Sequence, residues 1–247
     1  MAMFTRTDDG GGETRFWQRG RLLSAGFLAA ALGISLVSFL TGGHDEEQRP
    51  AALTALGPLA QGPDKATGRP PGCHTDDASD ALPKRAPSDV TWRMVGGTRV
   101  PTSASAGPTR AAGPVLWCFA HTPMGAVMAA HVIPAQMTGP AWREVVDEQV
   151  VAGFGRNLFV SQRSSLDDAE LESQPTGSYA GFTLEDYDKD SADVGILVKN
   201  AQGGLLSSTI RLRWSGGDWK VVPGSDGGLH SQVSAADGTD GYIQWGV

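Results

Sequence analysis

The longest stretch without a charge, an amide or a proline lies near the N-terminus. From Leu22 to Leu40 the chain reads LLSAGFLAAALGISLVSFL, and ten of these nineteen residues are Leu, Ile, Val or Phe. As a helix the run is about 28 Å long, close to the roughly 30 Å hydrocarbon core of a bilayer. The pattern predicts a transmembrane helix over residues 22–41. Arg15, Arg19 and Arg21 precede it, and Asp45, Glu46 and Glu47 follow. Positive flanks stay inside, so residues 1–21 are expected as a cytoplasmic tail and everything beyond the span as extracytoplasmic. A cleaved signal peptide is the competing reading; the bulky Ser38-Phe39-Leu40 stands where that reading needs small residues. Ala25, Ala29 and Gly33 share one face of the helix, a spacing that lets two such spans pair.

Behind the span the apolar pattern thins. Residues 42–88 are rich in Ala, Gly, Pro, Asp and Ser with few large apolar side chains. Such a segment cannot bury enough surface to hold itself folded, so it reads as a flexible linker. Order is expected to resume in one domain over residues 89–247. Val90–Val95 alternates as a short strand, residues 100–108 read as extended or turning chain, and Val115–His121 is a continuous apolar run suited to a covered strand. Thr122-Pro123 supplies a cap and first turn for a helix over Met124–Ile133 that Pro134 limits. A second helix is predicted over Ala141–Val151, closed by Gly153 and Gly155. After a polar stretch from Ser164 to Ser178 come strands at Tyr179–Tyr187, Asp193–Lys199, Leu205–Trp214 and Trp219–Val222, joined by short turns rich in Asp, Asn and Gly. Short joins predict an antiparallel meander, with Tyr242–Trp245 as a last edge strand. Helices followed by a curved antiparallel sheet make an α+β plan.

Charge and cysteines narrow the function classes. Lys and Arg number 20 against 27 Asp and Glu, with no basic run outside the short N-terminal tail, so direct nucleic-acid binding is not expected. Cys73 and Cys118 are the only cysteines, and both follow the span. In an oxidising compartment a bond between them would be worth about 4 kcal/mol in the chain-entropy model. Two free thiols, with Cys118 a small core residue, are the alternative. Their separation suits neither a redox pair nor a zinc site.

Residues that carry chemistry are few. Asp76, Asp77 and Asp80 read as solvating carboxylates of the linker. Asp186-Tyr187-Asp188-Lys189-Asp190 looks like the start of a calcium loop, yet Ser191 stands where a Gly is required and Leu197 where a Glu is. No phosphate loop, metal-ligand spacing or nucleophile triad is present in the sequence. His121, His131, Asp147 and Tyr179 are the candidates for acid–base work. His121 at a strand-to-helix junction and His131 on the helix after it make a poor pair, and a lone His beside small residues reads as a hydrogen-bonded packing group. No cofactor, metal or catalytic residue is expected.

Two resemblances add to this. The segment Arg211-Leu212-Arg213-Trp214-Ser215-Gly216-Gly217-Asp218-Trp219-Lys220-Val221-Val222, with the order of elements over residues 113–222, resembles the cone-shaped fold of nuclear transport factor 2. That likeness implies helices packed on a curved sheet, in some members around a catalytic floor. The strings Gly72-Cys73-His74-Thr75-Asp76-Asp77, Pro87-Ser88-Asp89-Val90-Thr91-Trp92, Gly107-Pro108 and Cys118-Phe119-Ala120-His121-Thr122-Pro123-Met124-Gly125-Ala126-Val127 resemble a family of uncharacterised single-pass membrane-anchored proteins of high-GC Gram-positive bacteria. Together they are similar in layout to scaffold subunits of conjugation and type IV secretion systems, which is analogy of architecture. The resulting expectation is a non-enzymatic, membrane-anchored protein-interaction domain whose partners are other envelope proteins or a second copy. The rival expectation is a ligand-binding or catalytic cone.

Overall fold

The computed structural model describes residues 69–173 and 177–246. The segment read as a transmembrane helix, Leu22 to Leu40, lies outside them. Residues 69–90 carry no regular secondary structure and lead into two small hairpins. β1 (Thr91–Val95) pairs with β2 (Thr98–Thr102), and β3 (Arg110–Ala112) with β4 (Val115–Trp117). Gly96 and Gly97 both hold positive φ, which a two-residue turn joining twisted antiparallel strands requires. Pro101 sits opposite Trp92 in this hairpin, outside the main sheet, where a missing N–H is tolerated.

α1 (Pro123–Gln136) follows. The Thr122 hydroxyl oxygen accepts the Gly125 amide at 3.1 Å, and Pro123 occupies the first turn. The helix runs through Pro134 instead of stopping before it. Twelve of its fourteen residues are buried. A helix apolar on every side belongs in a core, and this one packs against β1 and β2, α2 and most of the main sheet. α2 (Trp142–Gln149), α3 (Phe154–Arg163) and α4 (Asp168–Ser173) are short and lie nearer the surface.

The main sheet is an antiparallel meander of β5 (Ser178–Tyr187), β6 (Ser191–Lys199), β7 (Leu205–Ser215) and β8 (Asp218–Val221). β10 (Ile243–Gln244) adds to the free edge of β5, and β9 (Ser234–Ala236) pairs with Leu205–Ser207 of β7, beyond the end of β8. In β7 the side chains of Leu206, Ser208, Ile210, Leu212 and Trp214 share the face toward α1, while Arg211 and Arg213 are exposed.

The α+β cone expected from sequence is corrected by this arrangement. Strand makes up 34% and helix 21% of the structure, and four strands precede the first helix. The cause is local: Gly96-Gly97 folds residues 91–102 into one hairpin, and helix content is one buried rod with three short surface helices. No helix among the described residues is long and apolar enough to cross a membrane.

Candidate functional site

Three features gather the polar chemistry around this core. The first lies where α1 places His131 against β5, near the β10 edge of the sheet. Its side chain is fully buried. Nδ1–H donates to the Val127 carbonyl at 2.8 Å, one helical turn back, and Nε2 accepts from the Trp245 indole N–H at 3.1 Å. The rings of Tyr179, Trp245 and Phe182 meet it edge-on at 4.6, 5.0 and 6.2 Å. A neutral imidazole has one donor and one acceptor, and both are used. Burial lowers its pKa to about 4, so the ring stays neutral. Tyr179 donates its hydroxyl to the His131 carbonyl at 2.9 Å. Trp245, from the last strand region, plugs this site.

The second feature is a brace at the end of the β7–β8 hairpin. Gly216 and Gly217 turn the chain with positive φ, and Asp218 points inward, fully buried. Its carboxylate accepts the Cys118 amide at 2.6 Å, the Phe119 amide at 3.0 Å and the Trp219 amide at 2.9 Å. Burial outweighs these three donors and pushes the carboxyl pKa up to about 6. Cys118, itself at positive φ, is bonded to Cys73. Arg69 lies across the same place: it donates to the Phe119 carbonyl and to Thr75, both at 2.6 Å, pairs with Asp77, and sits 4.8 Å over the Trp214 ring. His121 stacks on Trp214 at 3.8 Å, donates from Nε2 to the Lys189 carbonyl, and its backbone amide donates to Asp77 at 2.8 Å. The last part of the stretch read as linker is thus pinned to the domain by a disulfide and an arginine.

The third feature is a cavity of about 100 Å³ between the inner face of the sheet and the layer formed by α3, α4 and the 227–230 loop. Its walls include Ala130 and Pro134 of α1, Ile196 and Val198 of β6, and Ser208 and Ile210 of β7, and they are mostly apolar. Arg163 also lines it, but its guanidinium donates to the Met137 carbonyl at 3.1 Å and pairs with Asp168 at 2.6 Å. Gly227 permits the close lid, since a Cβ there would press on the Phe159 amide.

Of the acid–base candidates, the structure brings Tyr179 and His131 together, but as packing partners. His121 stands apart on the Trp214 face, and Asp147 is exposed on α2. Asp188 closes its hairpin by accepting the amides of Asp190 and Ser191 at 2.7 Å. Asp76 accepts the Ala78 amide at 3.0 Å, and Asp80 faces Lys189 at 3.3 Å. Among the described residues no cluster of His, Cys, Asp or Glu could hold a metal ion. Sequence reasoning missed Arg69, Asp218 and Ser208. A charged residue beside a Gly-Gly turn reads as solvated, and only the Ser among alternating Leu and Ile on β7 offered a signal.

The Cys73–Cys118 bond marks an oxidising, extracytoplasmic compartment for this domain. No curated protein and no solved structure matches the chain significantly. A family model does, the domain of unknown function DUF8175, over residues 55–244. Because that match spans well over half of the 247 residues and takes in the disulfide, the buried helix and the whole meander, the chain belongs to the DUF8175 family.

Proposed function

We propose that this chain is a membrane-tethered extracytoplasmic domain that binds other envelope proteins and does no chemistry of its own. The tether is the apolar run from Leu22 to Leu40, with its arginines on the cytoplasmic side and its acidic residues outside. One observation carries the binding reading. The position where a catalytic group would sit, at His131, is filled by Trp245, Tyr179 and Phe182, and both ring nitrogens are consumed by structural hydrogen bonds. A general base needs a free lone pair within reach of a substrate proton, and this ring has none. Asp218, a fully buried carboxyl, is likewise spent on three backbone amides.

The partners are other envelope proteins, as in a DNA-transfer or secretion assembly whose subunits pair a short tail and one span with an outer domain; that step rests on analogy alone. A photo-crosslinking residue at Met94 or at Phe154, which are 60% and 73% exposed, tests it in cells. The expected result is a defined envelope protein trapped from at least one position and identified by mass. Capture of the chain only by itself, or of nothing, overturns the assembly reading.

A further inference from the structure

We propose that the cavity beneath α3 and the 227–230 loop is a binding site for a small neutral molecule with a hydrocarbon body and one hydroxyl, of the phenol or simple alcohol class. The starting point is a break in pattern. Protein interiors are packed as tightly as organic crystals. On β7, Leu206, Ile210, Leu212 and Trp214 keep the inner face apolar and large, and Ser208 alone is small and polar. Ser208 stands beside Ile196 in register and lines the cavity, as does Ala130 on α1, another small residue. Two small side chains in one void leave the space that larger ones would fill. The void is therefore written into the sequence at two positions on separate elements.

Size and polarity define what fits. A void of about 100 Å³ is on the scale of engineered apolar cavities of roughly 150 Å³ that stay dry and take up benzene. Apolar walls from Ile196, Val198, Ile210 and Leu229 favour a hydrocarbon body. The one cation on the wall, Arg163, is held by Asp168 and the Met137 carbonyl, so nothing there calls for a carboxylate or phosphate. Ser208 is half-buried and puts a hydroxyl on the sheet wall of the void, and His230, whose Nε2 is buried without a partner, lies on the loop wall. One hydroxyl against one hydroxyl, in apolar surroundings, gives orientation without charge.

The test uses 4-fluorophenol and fluorobenzene as fluorine NMR probes of the full chain in lipid nanodiscs. A Ser208→Phe sample, in which the ring fills the void, corrects for partition into lipid. In the native chain 4-fluorophenol is expected to bind at least fivefold more tightly than fluorobenzene. Ser208→Ala should keep both probes and bring the ratio near one, while Ser208→Phe should abolish both. Ala130→Leu fills the void from the helix side and must give the same loss, with tryptophan fluorescence on heating reporting that each variant is folded. Equal probe signals in the native chain, Ser208→Phe and Ala130→Leu overturn the site. Binding without preference for the hydroxyl, or a preference that survives Ser208→Ala, overturns the ligand class.

Discussion

Asp218 accepts the Cys118 amide at 2.6 Å, and this bond crosses a hundred residues of sequence to lock the last hairpin onto the disulfide. The same carboxylate takes the amides of Phe119 and Trp219. Cys118 holds positive φ, a conformation a non-glycine residue keeps only when its surroundings impose it. Asp218→Ala leaves the Cys118, Phe119 and Trp219 amides without their acceptor in a closed interior. The expected loss is about 3–5 kcal/mol, read from denaturant unfolding followed by tryptophan fluorescence. A loss under about 1 kcal/mol would show that the carboxylate is incidental.

Asp218 and His131 also make opposite demands on pH. Burial raises the Asp218 pKa from 3.8 to about 6, so the folded state keeps a proton that the unfolded chain releases; its stabilisation is complete below about pH 4 and is lost as pH rises through 6. Burial lowers the His131 pKa from 6.5 to about 4, so its stabilisation is complete above 6.5 and is lost as pH falls toward 4. Each effect is worth about 3 kcal/mol, and across pH 4–6 they nearly cancel. Stability should therefore rise with pH in Asp218→Asn and fall with pH in His131→Gln, while the native chain stays flat. Unfolding midpoints at half-unit pH steps decide this, and two flat variants would sink it.

How far these features were legible in the sequence depends on which residues carry them. The meander β5–β8 was readable because its alternation is regular and its turns are Asp-, Asn- or Gly-rich. The α3 helix was not, since Gly153 at its cap and Gly155 in its first turn read as a stop and only Phe159 and Arg163 of its residues are buried. β9 is Ser-Ala-Ala and has no strand signature at all; it forms because the edge of β7 is free beyond β8. His131 reads in the sequence as a hydrogen-bonded packing group from its small neighbours, but its partner Trp245 lies 114 residues away and has no local signal. Asp218 could not be read as buried, because only tertiary contact brings Cys118 and Phe119 to it.

The disulfide makes a chemical prediction. Cys73 and Cys118 are bonded with Cα atoms 5.4 Å apart, and the chain has no other cysteine. Thiol reagents should label the native protein only after reduction, and then at two sites. Replacing both cysteines by alanine should lower stability by about 4 kcal/mol in the chain-entropy model. It should also loosen Arg69, whose Nη1 lies 3.1 Å from the Cys73 sulfur, so proteolysis near residue 69 is expected to quicken. Label uptake without reductant would contradict the bond.

Trp245 should be what keeps His131 silent. In Trp245→Phe the indole N–H that Nε2 accepts is gone, while most of the apolar plug remains. The expected loss is about 1–3 kcal/mol, the effect of stranding one buried acceptor. Smaller Trp245→Ala should admit water to the ring and lift the His131 pKa from about 4 toward its ordinary 6.5, measurable by imidazole proton NMR. An unchanged titration in that variant would mean another group seals the histidine.

Gln136 and Gln149 form a further buried polar device. Gln136 accepts the Leu116 amide through Oε1 at 2.7 Å and donates from Nε2 to Gln149 Oε1 at 2.8 Å; Gln149 in turn donates to the Leu116 carbonyl at 2.7 Å. Two side-chain amides thus complete both backbone groups of one β4 residue, on the side away from β3, as a neighbouring strand would. The ring ties α1, α2 and β4 together with no exposed member, since Gln136, Gln149 and Leu116 are all buried. Removing Gln136 alone strands the Leu116 N–H and the Gln149 oxygen, so Gln136→Leu should lose about 2–4 kcal/mol, and Gln149→Leu a similar amount. The double variant should lose less than the sum by at least about 1 kcal/mol, because the second removal has fewer bonds left to break. A double-mutant cycle on unfolding free energies measures that coupling. Strict additivity would mean that the glutamines act separately and that β4 is held by its apolar side chains alone.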